Sequence, residues 1–331
     1  MRPFFLNRRR FTAAVLGVGN GLRFSHSQAQ SLAQSFASRP IRVVIPFAPG
    51  GGTDVIGRPL LSAMGQDLGQ TLYIDNKPGG GTVIGSDVVA KSAPDGHTIL
   101  MTTSSVAINA GLLAQLPYDT LADLPPVGRI CQGPNVIVVR ADSPFKTLRD
   151  LITYAKQHPG KLSYASSGNG SAVHLAAELF KSMTDTRILH IPYRGAGPAY
   201  TDLLGGQVDL LVGTAGGAHK FVQSGRMRAL AVTSTSRVNA YRDVPTVAEF
   251  VPGYSAEVWY GVFASKGTPT AILDRLNVAL RKAVGTPGYA DNLSREGLSV
   301  AVNSPAEMAA FMREEVARWR KVVVTGNIKP D

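Results

Sequence analysis

Hydrophobic and polar positions follow two alternating patterns along the chain from Arg39 onward. Short runs of β-branched residues, such as Ile41–Ile45, end at proline or glycine and predict strands. Longer stretches such as residues 55–68 repeat apolar residues every three or four positions and predict helices. Strands that alternate with helices through glycine-rich turns are typical of an α/β fold. The pattern predicts parallel sheets covered by helices on both faces.

The pattern divides into two sets of elements. The first set has predicted strands at residues 41–45, 72–74 and 98–102 and predicted helices at residues 55–68 and 83–92. The second set has predicted strands at residues 135–139, 162–165, 188–191, 208–212 and 229–233 and predicted helices at residues 147–158, 172–183 and 197–204. Each set is large enough to form a sheet with a core of its own.

The chain ends with an extended run at residues 257–263 and two amphipathic helices. One helix is predicted to start at Thr268-Pro269. The other is predicted to start at Ser304-Pro305-Ala306-Glu307, which has the sequence of a capping box with proline in the first turn. The apolar stripes of both helices predict core packing and require no cofactor.

This order of elements predicts two lobes. Residues 40–136 and 250–331 would form the first lobe, and residues 137–249 the second. The chain would cross between them near residues 132–138 and 248–258. Two crossings form a hinge, and the cleft between two lobes is a common place for a ligand.

Residues 1–29 have the three parts of an export signal: a basic start, an apolar stretch at residues 11–22 and a small-residue cleavage signal, Ser27-Gln28-Ala29. Arg8-Arg9-Arg10-Phe11 resembles the twin-arginine export pattern. The general secretory route and an amphipathic N-terminal helix remain alternatives. No later segment approaches 18 uninterrupted apolar residues, so we expect a soluble, periplasmic mature protein.

Charge and reactive side chains exclude several functions. The formal charge is +11, but residues 1–29 hold five arginines and no acid, which leaves a scattered +6 and no clustered nucleic-acid patch. The single cysteine, Cys131, allows no intramolecular disulfide. The histidines lack paired metal-ligand spacing, and no Gly-x-Ser-x-Gly motif occurs. Ser171 and His174 are interpreted as a helix cap and a packing residue. We therefore expect no metal, no cofactor and no catalytic residue.

Four glycine-rich turns each precede a predicted helix, at residues 46–54, 77–82, 166–171 and 193–198. Glycine lets the backbone approach a ligand closely, and a helix N-terminus offers free N–H groups to an anion. The first turn lacks the Lys-Ser/Thr ending of a nucleotide phosphate loop. An equally weighted alternative is that Thr53 or Asp54 merely caps the helix.

These turns belong to an ordered set of motifs. The motifs are residues 46–54, Asn76-Lys77-Pro78-Gly79, Ala93-Pro94-Asp95-Gly96, Leu116-Pro117-Tyr118, residues 164–174, Pro192-Tyr193-Arg194-Gly195 and residues 202–209. The chain, over nearly all of residues 39–303, closely resembles the substrate-binding proteins of tripartite tricarboxylate transporters, the Bug family of periplasmic receptors.

The resemblance implies a two-lobed periplasmic binding protein type II fold that closes on its ligand. It implies a first wall of Phe47, Ala48, Gly50, Gly51, Thr53 and Asp54, and a second wall of Ser167, Gly168, Gly170 and Ser171. Thr103 and Ser104 would add hydroxyl groups. Tyr193 and Arg194 would lie at a strand end, where Arg194 pairs with a ligand carboxylate or forms a structural ion pair.

The chain departs from the family pattern after Asp209. Many relatives have a Phe-Asp step there, whereas residues 211–217 are Leu-Val-Gly-Thr-Ala-Gly-Gly and are expected to form a loop beside the cleft. The implied function is capture of a small organic carboxylate by a monomer that serves the membrane subunits of a tripartite transporter. A receptor for a membrane sensor kinase and a hydrolase on the same fold are the alternatives.

Overall fold

The computed structural model describes residues 36, 39–326 and 328. The predicted signal at residues 1–29 lies outside the described residues. The strands are β1 Ile41–Ile45, β2 Leu72–Asn76, β3 Thr98–Thr103, β4 Pro126–Arg140, β5 Ser163–Ser166, β6 Leu189–Pro192, β7 Leu210–Thr214, β8 Met227–Val232, β9 Glu257–Phe263 and β10 Ser299–Val300. The helices are α1 Gly52–Leu68, α2 Val83–Ala90, α3 Ser105–Leu112, α4 Leu148–Gln157, α5 Ala172–Thr184, α6 Ala196–Leu204, α7 Ala215–Gln223, α8 Thr270–Val284, α9 Pro287–Arg295 and α10 Pro305–Thr325.

The strands form one mixed sheet in the order β2-β1-β3-β9-β4-β7-β5-β6, with β8 and β10 also paired to β4. Pairs within β1, β2 and β3 and within β5, β6 and β7 are parallel. Every pair that involves β4, and the pair of β3 with β9, is antiparallel. The prediction of two separate parallel sheets is therefore wrong, because β4 and β9 join both groups of strands.

Strand β4 is the element that joins the sheet. Its first residues, 126–134, pair with β9, and residues 135–140 pair with β7 and β8. The sequence predicted a strand at residues 135–139 and a separate short strand at residues 128–131, because proline and glycine interrupt the first half of β4. Register shifts between Pro126 and Gly128 and between Arg129 and Cys131 accommodate these residues within the ladder.

Buried side chains form cores on both sides of this joint. For description, residues 40–136 and 250–331 are called the flanking part, and residues 137–249 the central part. One core packs Leu60 of α1 against Leu276 of α8, and another packs Tyr164 against Phe180 in the central part. Val136, Val251, Tyr254 and Ala256 pack with the central part as well. The division into two lobes remains a prediction.

Hydrogen bonds among three residues connect the two segments that were predicted to cross between lobes. The backbone N–H of Asn135 donates to Thr233 Oγ1 at 2.7 Å, and Asn135 Nδ2 donates to the Ala256 carbonyl at 2.8 Å. The Thr233 hydroxyl also donates to that carbonyl at 2.7 Å. Asn135 and Thr233 are fully buried, so these hydrogen bonds hold the crossings together away from water.

Helix starts agree only partly with the sequence. The capping box at Ser304 and Glu307 is confirmed. Helices α3, α7 and α9 were missed: α3 is buried on most sides and lacks an amphipathic period, while α7 contains two adjacent glycines. The expected loop at residues 211–217 is wrong, because β7 extends to Thr214 and α7 begins at Ala215.

Among the described residues, no helix is both long and apolar enough to cross a membrane.

Loss of the hydrogen bonds at the crossings should destabilise the fold. The variant Asn135→Ala removes a buried amide that donates to Ala256, and we expect it to lower the free energy of unfolding by about 1–3 kcal/mol. Thermal or urea unfolding measures this loss. The variant Asn239→Ala, at an exposed position, is the matched control and should change stability by less than about 0.5 kcal/mol. Equal stability of the two variants would contradict a structural role for Asn135.

The thiol of Cys131 should be unreactive in the native protein. Cys131 is buried in β4, and burial raises the pKa of its thiol above the usual range. The thiolate is the reactive species, so a coloured disulfide reagent at pH 8 should modify the native protein only as fast as it unfolds. In denaturant the single thiol should react at once. Rapid labelling of native protein would show that Cys131 is accessible.

Candidate functional site

A cavity of about 30 Å³ lies between the flanking part and the central part. Its apolar wall consists of Ile45, Phe47, Ala48, Ala172, Val173, Ala196 and Val258. Its polar wall consists of Gly51, Gly52, Thr53, Asp54, Thr103, Ser105, Ser167 and Thr214. Asp54 is the only ionisable side chain in this lining, and no arginine, lysine or histidine contributes to it.

Helix N-termini converge on this cavity. The first residues of α1, α3, α5 and α6 line it at Gly52, Ser105, Ala172 and Ala196, and Thr214 is the residue that caps α7. Each helix start carries unpaired N–H groups and the positive end of the helix dipole. Five such ends around one enclosed space make a positive potential without a cationic side chain, which suits a small anion.

Asp54 shapes the first turn and does not cap α1. Its Oδ2 accepts the N–H of Gly50 at 2.7 Å, and Gly50 has a φ of 88°, which favours glycine. Asn76 Nδ2 lies 3.3 Å from Asp54 Oδ1, and Arg58 Nη2 lies 3.6 Å from Oδ2. These three donors offset the charge of the buried carboxylate.

Helix α1 begins without a side-chain cap. Its N-cap residue is Gly51, which has no side chain to accept a hydrogen bond. Neither the Gly52 nor the Thr53 N–H donates to another described residue. The alternative in which Thr53 or Asp54 caps the helix is therefore wrong for these amides. Gly52 and Thr53 line the cavity, so an acceptor that enters it lies close to these amides.

Hydroxyl groups cap the starts of α5 and α7, whereas α6 begins after Gly195 without a side-chain cap. Ser171 Oγ accepts the His174 N–H at 3.3 Å and caps α5, and Thr214 Oγ1 accepts the Gly217 N–H at 3.3 Å and caps α7. The interpretation of Ser171 as a cap is confirmed. Ser105 Oγ lies 2.8 Å from Thr103 Oγ1. These groups can donate or accept, so they can adapt to a ligand oxygen.

The flanking and central parts touch each other around the cavity. The Ala48 N–H donates to the Arg194 carbonyl at 2.9 Å, and the Ala172 N–H donates to Ser105 Oγ at 3.0 Å. About 30 Å³ holds a few water molecules at most. The structure thus represents a closed arrangement, and a ligand of several carbon atoms enters only when the two parts separate.

The structure divides the predicted site residues into two groups. Those on the cavity wall are Phe47, Ala48, Gly51, Thr53, Asp54, Thr103 and Ser167. Those away from the wall are Gly50, Ser104, Gly168, Gly170, Ser171, Tyr193 and Arg194. Gly168, Tyr193 and Arg194 line a separate outer groove together with residues 78–82. The second predicted glycine turn, at residues 77–82, lies along that groove, so the start of α2 does not reach the cavity.

Several lining residues were not predicted. They are Ile45, Gly52, Ser105, Ala172, Val173, Ala196, Thr214 and Val258. Three of these residues lie in or directly after predicted glycine turns: Gly52, Ala172 and Ala196. The start of each predicted helix could therefore have identified them as lining residues. Ser105 begins α3, which was missed, and Thr214 ends β7, in the segment that was expected to form a loop beside the cleft. Val258 lies on β9, and only the mixed sheet brings it to the cavity.

Two buried tyrosines lie where α1 meets α7. A Cβ atom on Gly52 would stand 2.3 Å from Thr214 Oγ1 and 3.1 Å from the Tyr260 hydroxyl. A Cβ atom on Gly217 would stand 2.8 Å from the Tyr200 hydroxyl. Burial raises the pKa of both tyrosines above the usual range, so both phenols are neutral. Closure therefore requires glycine at the contacts of α1 with α7.

The contact at Gly52 generates a matched pair of variants. Gly52→Ala places a methyl group against Thr214 and should destabilise the closed arrangement by about 1–3 kcal/mol. Gly51→Ala, the control, meets only Ala196, with the new Cβ 3.5 Å from the Ala196 Cβ and 3.8 Å from its backbone nitrogen, which are ordinary contacts. Small-angle X-ray scattering should give a larger radius of gyration for Gly52→Ala. The closed arrangement is refuted if the two variants scatter alike and Gly52→Ala is fully stable.

Comparisons with known proteins agree with this geometry. The family model described as tripartite tricarboxylate transporter family receptor matches residues 56–328. The UPF0065 protein in the tcbD-tcbE intergenic region of Pseudomonas sp. (strain P51) is 39% identical over 321 residues, which cover 96% of this chain and 94% of the relative. The periplasmic binding protein BugD has a TM-score of 0.86 at 32% identity, with 88% of this chain and 99% of BugD covered.

Two similar structures contain carboxylates. Rpa4515 of R. palustris with adipate has a TM-score of 0.85 at 35% identity, with 89% of this chain and 99% of that chain covered. MatC of Rhodopseudomonas palustris with bound malate has a TM-score of 0.82 at 31% identity, with 86% and 99% covered. The mixed α/β fold is thus that of periplasmic binding proteins. The chain belongs to the family of tripartite tricarboxylate transporter receptors.

Proposed function

We propose that this protein captures a small organic carboxylate in the cavity between its flanking and central parts, without performing chemistry on it. The observation that carries the proposal is the convergence of five helix N-termini on a cavity that has no cationic side chain. A carboxylate oxygen fits the unpaired amides of Gly52 and Thr53 and the hydroxyls of Thr53, Thr103, Ser105 and Ser167.

Neutral donors suit a receptor that must also release its ligand. A buried arginine would hold a carboxylate strongly but would remain as an uncompensated charge after release. Backbone N–H groups and hydroxyls carry no net charge, so the empty cavity costs less to desolvate. The adipate and malate in the two similar structures support a carboxylate as the ligand class.

Closure of two lobes is the proposed mechanism, with the flanking part as one lobe and the central part as the other. The crossings at Asn135 and Ala256 would act as the hinge. In the open state each lobe presents its own helix N-termini to water. A ligand that bridges both sets of N–H groups stabilises the closed state by its differential affinity for that state.

The proposed contacts differ from those implied by the resemblance. Phe47, Ala48, Gly51, Thr53, Thr103 and Ser167 remain proposed ligand contacts, and Gly52, Ser105 and Thr214 join them. Asp54 and Gly50 shape the first turn, while Ser171 caps α5. The Arg194 side chain is exposed in the outer groove, so we do not propose that its guanidinium group contacts a ligand in the cavity.

Transport is the role that the family membership supports. We propose export to the periplasm through the signal at residues 1–29, with a twin-arginine or general secretory route, and delivery of the ligand to the membrane subunits of a tripartite transporter. We propose that the receptor acts as a monomer. Catalysis is not part of the proposal: Ser171 accepts from the backbone of His174, and the His174 ring faces the loop behind it.

Ligand-dependent stabilisation tests this function. Mature protein from Gln30 is unfolded thermally with malate, adipate, amino acids and aromatic acids in turn. A ligand at about 100 times its dissociation constant should raise the free energy of unfolding by about 2.7 kcal/mol, and therefore Tm by several degrees. A selective shift supports the proposal and identifies the ligand class. A flat panel with no acid retained from expression, as shown by mass spectrometry, would contradict it.

Gly51 supplies the matched control for the site. Gly51→Asp places a carboxylate beside the amides of α1 and should abolish the ligand-dependent shift by bulk and like charge. Gly51→Ala adds only a methyl group and should retain most of the shift. An unchanged shift in Gly51→Asp would remove the first turn from the binding site.

A further inference from the structure

Two histidines stack behind the serine-glycine loop at residues 166–171. The rings of His174 and His190 lie 4.3 Å apart and within 17° of parallel. His190 stacks in turn on Tyr164, with 4.6 Å between ring centroids and 14° between planes. His174 is completely buried, and its helix α5 begins at the cavity. The spacing of these histidines in the sequence did not predict a pair, whereas the fold places their rings side by side.

His174 binds the loop through its ring. The Gly170 N–H donates to His174 Nδ1 at 3.1 Å, and Gly170 has a φ of 75°. A ring nitrogen accepts a hydrogen bond only when it carries no proton. The neutral His174 therefore has its proton on Nε2. The same residue thus supports the loop with its side chain and receives the Ser171 cap with its backbone.

His190 binds the loop through Ser166. His190 Nε2 lies 2.6 Å from Ser166 Oγ, and the same oxygen accepts the Gly168 N–H at 3.1 Å. Gly168 has a φ of 124°, a conformation that residues other than glycine rarely adopt. The Ser166 hydroxyl thus joins the His190 ring to the Gly168 amide.

The far end of the stack is anchored to α5. The Tyr164 hydroxyl donates to Glu178 Oε1 at 2.5 Å, and Lys181 Nζ lies 2.6 Å from the same oxygen. Lys181 also lies 5.4 Å from the centre of the Tyr164 ring. Because α5 carries both His174 and this ion pair, the stack and the loop are held by one rigid helix.

The loop must keep its position for the two parts to close. A Cβ atom on Gly81 would stand 1.5 Å from the Asn169 carbonyl oxygen, and one on Gly170 would stand 2.0 Å from Asn109 Oδ1. The backbones at these glycines are therefore already packed against the opposite part, which leaves little space for a shift of the loop toward the flanking part. A displacement of about 1 Å at the loop would therefore obstruct closure.

We propose that His174 and His190 are positioning residues that fix the Gly168 and Gly170 amides and so hold the loop in the shape that closure requires. This inference rests on the proposed function in taking closure as the binding step. The two glycine amides are occupied by internal acceptors. The loop therefore offers Ser167, the loop residue on the cavity wall, to the ligand.

Two variants of His174 distinguish the effect of its hydrogen-bond acceptor from the effect of its stacked ring. His174→Asn retains an oxygen that can accept the Gly170 N–H, whereas His174→Phe retains the stacked ring and loses the acceptor. His158→Phe is the matched control, because His158 is exposed in the central part and stacks on Tyr154. Each variant is examined by hydrogen exchange at the Gly170 amide and by its binding of adipate, the probe ligand.

We expect His174→Phe to reduce the protection of the Gly170 amide by about threefold to tenfold, the usual effect of one lost hydrogen bond. His174→Asn should restore most of the protection, and His158→Phe should leave it unchanged. Adipate affinity should fall in parallel in His174→Phe. Unchanged protection and affinity in His174→Phe would overturn the proposal, as would an equal loss in His174→Asn and His174→Phe.

Nitrogen NMR of the unsubstituted protein gives a test that needs neither ligand nor variant. At neutral pH the imidazole shifts should show His174 protonated at Nε2. A proton on His174 Nδ1 would refute the proposal directly. If adipate does not bind, the exchange and NMR results still decide the role of the histidines, and only the ligand assignment of the proposed function is affected.

Discussion

The free N–H groups at the first turn of a helix need an acceptor, and burial makes that need acute because water is excluded. In this protein the starts of α1, α3, α5, α6 and α7 meet at one cavity. Serine and threonine caps satisfy some of these groups, but α1 begins with glycine and has none. The fold thereby concentrates unsatisfied donors where a small anion can bind, and the rest of the site follows from that arrangement.

The mixed sheet creates this convergence. Strands β1 and β3 on one side, and β5, β6 and β7 on the other, end at the cavity and pass into helices there. Strand β4 runs through both groups and β9 pairs with it, so the two groups share one continuous ladder. Asn135 and Thr233 bind the crossings where the ladder passes from one part to the other. In the proposed mechanism this joint acts as the hinge between the two parts.

Two kinds of residue shape the contact between the flanking and central parts. Glycines at positions 52, 81 and 170 allow backbones and side chains of the opposite part to approach closely. A larger residue at any of these positions would clash with the opposite part. Asp54 and the stacked histidines hold the turns that approach each other. The glycines permit the two parts to come into contact, and Asp54 and the histidines fix the positions of the turns that make this contact.

The sequence by itself determined the strands and helices with clear periodicity, the caps at Ser171 and Ser304, and the glycine turns at the start of α1, α5 and α6. Those features depend on neighbours within a few residues. Only the tertiary structure decided that α3 and α7 also reach the cavity, that α2 and Arg194 do not, and that His174 and His190 stack. Those outcomes depend on how distant strands pair in one mixed sheet, and local sequence carries no information on that pairing.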